Sequence, residues 1–392
     1  MVFAPISLWL TEGILMQLHI AIAIPTFNRL SYLKKNISAI LAQNIKPSIT
    51  LSIVIANTAS SDGTDEFLVF LQNKYANVFC YNQKTKGENE NLKFLSEAIP
   101  NDVDWVWLMG DDDYLASEQS VNSIAEVIFG QPGLSLNFIH ACQARRSKNT
   151  GNVISMPVEH LCQELGYHEM LGWYSSVLVT REIFCRAMLD AHNKINSKEG
   201  SATAIDARYS AYVHSRFLYQ HLHGKVGAFV DLPLVEPQDK GQTKSTQLRW
   251  NKYQMGERFL FVVDDFMALV KQGLLPEKNS LSFFRLVTYS WWDRYFVRLF
   301  GEIGDQSIPY AQKSSQQNID RLQSHWKRIQ TLASMLDDPE LTKALNIRAT
   351  HGIELADLYF RTQGQNKFVL ESIARHFEMS KAPTYPFHLL NE

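Results

Sequence analysis

Residues Asp104 to Glu118 read DWVWLMGDDDYLASE. A hydrophobic run, Trp105 to Met109, ends in Gly110 and empties into three consecutive carboxylates, Asp111, Asp112 and Asp113. Adjacent acids repel one another, and acids are rarely buried unless paired or bound to metal. The run reads as a strand and the triplet as the turn that follows it. Hard divalent cations take oxygen ligands, using one or two protein carboxylates beside substrate phosphates. The triplet therefore reads as a seat for Mn2+ or Mg2+. A helix cap accounts for one acid at this position, not for three.

The sequence on either side supplies a sheet for that strand. LHIAIAIP (Leu18 to Pro25) and ITLSIVIAN (Ile49 to Asn57) are β-branched runs, and NVFCYN is a shorter third strand. LSLNFIHA (Leu134 to Ala141) is a fifth strand after DWVWLM. Between them lie helical stretches. Leu30, Leu33, Ile37, Ile40 and Leu41 repeat at helical spacing, DGTDEFLVFLQNKY opens with Asp62 as N-cap, and ENENLKFLSEAI follows the third strand. Strands alternating with helices, without hairpin turns, predict parallel pairing through crossover helices. Continuous apolarity along the strands predicts cover on both faces. The triplet then falls at the carboxyl edge of a central strand, where open α/β sheets bind ligands.

Beyond residue 150 the pattern loosens. GWYSSVLVTREIFCRAML predicts a strand and then a helix, a later helix closes at Gly224, and KVGAFVDLPLV predicts a strand. Residues 236–247 are polar and read as a loop, with Lys240, Lys244 and Arg249 on or beside it as cations that a closing lid would bring to an anionic ligand. From Leu248 onward the chain reads as helical. Trp291, Trp292, Tyr295 and Phe296 fit a helical core, a homo-oligomer interface, or a patch on a membrane surface. The expected division is 1–16 as an N-terminal extension, 17–247 as an α/β domain and 248–392 as a helical domain. Residues 1–15 read either as extra sequence before a start at Met16 or as a short helix on the domain or a membrane surface.

Composition narrows the classes. The chain has 392 residues, 45% hydrophobic and 20% charged, ordinary values for a globular protein. Its net charge of -2 lacks the basic excess that a nucleic-acid partner needs. Cys80, Cys142, Cys162 and Cys185 form no CxxC pair and no zinc spacing, and read as thiols of a reducing, cytoplasmic compartment. No stretch has the ~18 uninterrupted apolar residues of a membrane span, so any membrane contact is expected to be peripheral, at the inner face.

Four segments in order, AIPTFNR, NTASSDGT, NQKTKGENENL and GDDDYL, resemble the glycosyltransferases of family 2, and within it the abequosyltransferase-like bacterial enzymes. The match covers residues 17 to 116, and more weakly runs to 235. The resemblance implies the GT-A fold, a nucleotide-diphospho-sugar transferase fold with a mostly parallel sheet and flanking helices. It implies an inverting transfer from a nucleotide-sugar donor to a saccharide or lipid-linked acceptor, in O-antigen or capsule synthesis. Pro25, Thr26 and Asn28 would line the nucleotide pocket. Asn57 stands where the family usually has an aspartate that grips the base or ribose; an amide both donates and accepts. Lys84 would reach the base or a phosphate, and Asn91 would close the pocket floor. Asp111 and Asp112 would contact the nucleotide-sugar, and Asp111 and Asp113 the metal.

Such a transfer needs a carboxylate that takes the acceptor's proton. Asp206, in TAIDARYSAY, is the first choice and Glu169 the second. Trp173, Ser175 and Ser176 are placed at the acceptor or in local packing. His214, His221 and His223 read as helix packing, with His221 or His223 as the candidates for a metal shell. Two other readings stay open. A sugar-1-phosphate nucleotidyltransferase would need a glycine-rich loop that PTFNR lacks. A non-catalytic scaffold of a polysaccharide synthase would keep the fold without the chemistry.

Overall fold

The structure is a computed structural model; it describes residues 17–83, 88–196, 213–237, 255–276, 280–284, 315–346, 350 and 354. Strands and helices alternate first: β1 (Leu18–Thr26), α1 (Leu30–Leu41), β2 (Ile49–Thr58), α2 (Thr64–Lys74), β3 (Val78–Gln83), α3 (Glu88–Ala98) and β4 (Trp105–Leu108). Then come β5 (Asp113–Leu115), α4 (Ser120–Phe129), β6 (Leu136–Gln143), β7 (Val153–Pro157), α5 (Val158–Leu165) and α6 (Tyr167–Leu171). A 3-10 turn at Tyr174–Ser176 leads into β8 (Val177–Thr180), α7 (Arg181–Asn196), α8 (Val213–Leu222) and β9 (Val226–Pro237). Two later helices, α9 (Met255–Lys271) and α10 (Ser315–Met335), follow, with a further helical stretch at 339–346.

The sheet runs β3-β2-β1-β4-β8-β6-β9-β5, with β7 paired to β9. Its first four strands are mutually parallel, as the alternating sequence predicts. The second half is mixed. β8 lies antiparallel between β4 and β6, so the expected fifth strand, β6, is not β4's neighbour although it keeps β4's direction. Two short strands carry no sequence signal. β5 begins at Asp113 itself and pairs with the end of β9, while β7 is half-buried along its whole length. Neither shows the apolar alternation that reveals a strand.

Continuous apolarity does mean two covered faces. Along β1, Ile20, Ile22 and Ile24 point into the core under α1, α2 and α4, while Ala21 and Ala23 point the other way. Trp105 and Trp107 share the first face, and Val106 and Leu108 the second. The small side chains at Ala21, Ala23 and Ala56 let α3 lie close against β1 and β2.

The expected boundary at 247/248 lies outside the described residues. Beyond it, Val262, Val263, Phe266 and Leu269 of α9 and Ile329 and Leu332 of α10 join the second core. Phe266 packs 5.2 Å from Tyr167, ring to ring, so the later helices share one apolar interior with the sheet. The four cysteines are free thiols, and among the described residues no helix is long and apolar enough to cross a membrane. Trp291, Trp292, Tyr295 and Phe296 lie outside the described residues, as do residues 1–16.

Candidate active site

A polar row lines the carboxyl edge of the parallel strands. Thr26 of β1 pairs in register with Asn57 of β2, and Asn57 with Asn82 of β3. Parallel strands of similar length end level, so one residue from each is delivered to the same rim. Asn57 is fully buried there. Its amide donates to Asp65 Oδ1 in the first turn of α2 and to Asn82 Oδ1 at 3.1 Å, and its oxygen accepts from Ser60 Oγ at 2.5 Å. Ser60 Oγ also accepts from the backbone N–H of Asn28 at 2.8 Å, while Asn28 Oδ1 accepts from Ser61 N at 2.7 Å. These bonds lock the β1–α1 and β2–α2 loops together. Both loops contain a non-glycine residue with positive φ, Asn28 at 53° and Ala59 at 52°. Asparagine tolerates that region, but alanine adopts it at a cost, which the surrounding bonds must offset.

Asp62 is a cap, but a shared one. Its carboxylate accepts from Leu30 N at the start of α1 (2.8 Å) and from Thr64 Oγ1 at the start of α2 (2.5 Å). The residue immediately before α2 is Gly63, with φ of 86°, a conformation that favours glycine. Asn91 donates from α3 to the Thr26 carbonyl at 3.1 Å and to Thr58 Oγ1 at 3.2 Å, closing the floor beneath β1 and β2. Pro25 is half-buried directly before Thr26.

The acid triplet joins this row from the β4 side. Asp111 and Asp113 are buried, whereas the side chain of Asp112 is 41% exposed. Thr26 Oγ1 donates to Asp111 Oδ2 at 2.8 Å. Arg29 Nη1 lies 2.8 Å from Asp111 Oδ1 and 2.7 Å from Asp112 Oδ2. Ser175, from the 3-10 turn, donates to Asp113 Oδ2 at 2.5 Å and accepts from Gly110 N at 2.9 Å. Asn36 of α1, buried among the helix's apolar positions, donates to the carbonyls of Gly110 (2.9 Å) and Asp113 (2.5 Å). A side chain at Gly110 would crowd this turn, since its Cβ would fall 3.0 Å from Asp113 Oδ2 and 3.4 Å from Ser175 Oγ.

The electrostatics follow from three acids sharing one guanidinium. Burial raises the pKa of Asp111 and Asp112 adds to the rise, against the pull of Arg29 and Thr26. Burial, then Asp112, pushes Asp113 up to about 8. Burial works against the charge of Arg29, but Asp111 and Asp112 together outweigh it and raise its pKa. Among the described residues Arg29 is the one cation paired with the triplet, and it reaches Asp111 and Asp112 but not Asp113. Asp112 has one further oxygen, Oδ1, with no partner among the described residues. This donor set fits a hard divalent cation held by one or two carboxylates and completed by phosphate oxygens and water. Among the described residues no three acids, histidines or cysteines converge into a full protein cage.

The other expected residues fall as follows. Glu169 lies on α6, which leads into the 3-10 turn under Gly110, and is ion-paired with Arg146. Ser175 is fully buried and braces the triplet, and Ser176 is buried beside it, so packing is the better description of both. Trp173 is half-buried against the first core. His214 is buried, and His221 Nε2 sits 2.7 Å from Asp190 Oδ2 on α7. His223 packs edge-on to Tyr219. Asp206, Lys84, Lys240, Lys244 and Arg249 lie outside the described residues. Arg29, Asn36, Ser60 and Asp65 belong to the site without having been singled out. Asn36 carried a signal, a polar residue on the apolar stripe of α1. Arg29 stood inside PTFNR, next to residues that were assigned.

Fold, row and triplet together define a class. Residues 21–154 match the family described as Glycosyl transferase family 2, and the sheet with its flanking helices has a GT-A-like architecture. In sequence it resembles abequosyltransferase RfbV of Salmonella typhimurium, with 31% identity over 99 residues. That alignment spans 25% of this chain and 29% of RfbV, less than a third of either. In fold it resembles the crystal structure of S. aureus TarS 1-349, at 12% identity and a TM-score of 0.50, over 90% of this chain and 93% of that one. A longer S. aureus TarS structure matches with a TM-score of 0.51 and 12% identity, over 89% of this chain and 55% of that one.

Proposed function

We propose that the protein is a metal-dependent, inverting glycosyltransferase that moves a sugar from a nucleotide-sugar donor to a saccharide or lipid-linked acceptor in bacterial surface polysaccharide synthesis. The observation that carries this reading is the acid triplet at the carboxyl edge of β4, joined through Thr26 and Arg29 to the loop after β1. The family match over residues 21–154 and the resemblance to RfbV support the reaction class. We assign residues 17–247 to the transferase domain and 248–392 to a helical domain, acting in the cytoplasm or at the inner membrane face.

Asp111 and Asp113 would hold Mn2+ or Mg2+, which when bound neutralises charge on a leaving diphosphate, and Asp112 would contact the nucleotide-sugar. Thr26 and Arg29 orient Asp111, and Ser175 orients Asp113, so the carboxylates are fixed before any ligand arrives. Asn28, Pro25 and Thr26 shape the pocket for the nucleotide, and Lys84 extends it. A carboxylate on the opposite side of the sugar takes the proton from the acceptor hydroxyl; Asp206 and Glu169 are the candidates. For Glu169 to act, its ion pair with Arg146 must open.

The test is transfer, or slow hydrolysis, of a panel of nucleotide-sugars by the purified chain with Mn2+, with Mg2+, and with chelator. Release of one nucleoside diphosphate with cation and none with chelator supports the reading, and the anomeric configuration of the product, read by NMR, tests inversion. Turnover unchanged in chelator would remove the metal from the reaction. No turnover or nucleotide binding with any donor would favour the non-catalytic scaffold.

A further inference from the structure

Asn57 occupies the middle of the polar row but has little left to offer a ligand. It is fully buried, both of its N–H groups are donated, and its oxygen already accepts from Ser60. An amide has two donors and one carbonyl oxygen, so reading a base through its N–H groups would break an existing bond. The two residues that Asn57 holds are different. Asp65 is half-buried at the start of α2, one of its oxygens faces Asn57, and Oδ2 has no partner among the described residues. Asn82 is exposed at the end of β3, its oxygen faces Asn57, and its own N–H groups have no partner among the described residues. A free acceptor and a free amide donor thus lie side by side at the rim, both pinned by one buried side chain.

We propose that Asp65 is the base-reading carboxylate of this site, positioned by Asn57 and assisted by Asn82. This rests on the glycosyltransferase reading above. Nucleobase edges set an N–H beside an acceptor, and a carboxylate next to an amide complements that pair. The carboxylate therefore enters from the first turn of α2, and Asn57 is its positioning residue. The row runs from Asp65 and Asn82, through Asn57, to Thr26 and the triplet. Base and diphosphate are accordingly read at opposite ends of one row of rim residues.

The experiment is calorimetric binding of UDP, GDP, CDP, ADP and dTDP, each with Mn2+, to the full chain. Asp65→Asn keeps an oxygen for the Asn57 amide and changes only the free end; Asp65→Ala removes the free end. Both variants are checked for an unchanged melting temperature, and pyrophosphate with Mn2+ serves as the base-free control. A hydrogen bond to a charged group supports a loss of about tenfold or more in affinity for the preferred diphosphate. Preference among bases should collapse to about threefold, with pyrophosphate binding unmoved. If the wild type discriminates and both variants keep the same preference, Asp65 is only a helix-start acid and the inference is overturned. If the wild type binds none of the five, the glycosyltransferase reading fails and this inference fails with it.

Discussion

Asp113, buried, and Asp265, half-buried, are both carboxylates pushed up to about 8, yet they sit in regions built on different logic. Around Asp113, after burial, the next influence is a like charge, Asp112; the Ser175 hydroxyl donates to its carboxylate and the Asn36 amide to its backbone carbonyl. Around Asp265, on α9, the next influence is an opposite charge, Arg216 of α8, at 3.6 Å. The deep cluster also holds Arg328 of α10 against Asp264 at 2.7 Å. Tyr167 Oη, Tyr219 Oη and Arg216 Nε are buried there without partners among the described residues. A raised carboxylate pKa therefore does not by itself mark a site. Repelling charges at a sheet rim call for a ligand; paired charges between helices fix how those helices pack.

The sharpest way to break this contrast is Asp265→Ala. It leaves the half-buried Arg216 without its carboxylate partner, and an unsatisfied polar group of this kind is destabilising by about 1–3 kcal/mol. Chemical denaturation should show this loss, while transfer per folded molecule stays at the wild-type rate.

Asp113→Asn should do the opposite. Losing one preorganised charge in a site lowers kcat by about 10²–10³-fold, read by transfer at saturating donor. Stability should move the other way. The folded pKa of about 8 lies above the unfolded 3.8, so the folded state keeps a proton that the unfolded chain releases. Wild-type stability contributed by this group is present at low pH and is lost as pH rises towards 8. The variant lacks that slope, of up to about 1.4 kcal/mol per pH unit. In chelator, thermal melts should show the variant gaining on wild type from pH 4 to pH 8.

Buried histidines test the helical region from the acid side. Burial, with His214 adding to it, lowers the pKa of His168 to about 3. The unfolded chain binds a proton below the ordinary value of 6.5 and the folded chain does not, so stability falls as pH drops below 6.5. His168→Gln removes that loss, up to about 1.4 kcal/mol per pH unit. Relative to wild type it should gain stability between pH 6 and pH 4, whatever fixed packing penalty it carries. The smallest effect is expected from Gly110→Ala. A Cβ there presses on Asp113 and Ser175, and a shift of a few tenths of an ångström should lower kcat by about tenfold with little change in melting temperature.

Much of this was legible in the linear chain. The strands β1, β2 and β4 announce themselves because residues covered on both faces must be apolar at every position. The triplet was legible because like charges in a row need an explanation from outside themselves. Asp62 was visible as a cap, though not as one shared by two helices. The bracing residues were not legible. Asn36 bonds to Gly110, 74 positions away, and Ser175 lies 62 positions from Asp113. β5 and β7 hid because neither shows an apolar alternation. β8 was legible as a strand, but its place between β4 and β6, against the order of the chain, was not.

Composition and periodicity thus determined an α/β sheet with acids at its rim, because burial and repulsion act on residues wherever the chain goes. Only the tertiary structure decided which groups hold those acids and which carboxylate Asn57 presents. Those partners are set by strand register and by loops that meet only after the sheet has formed.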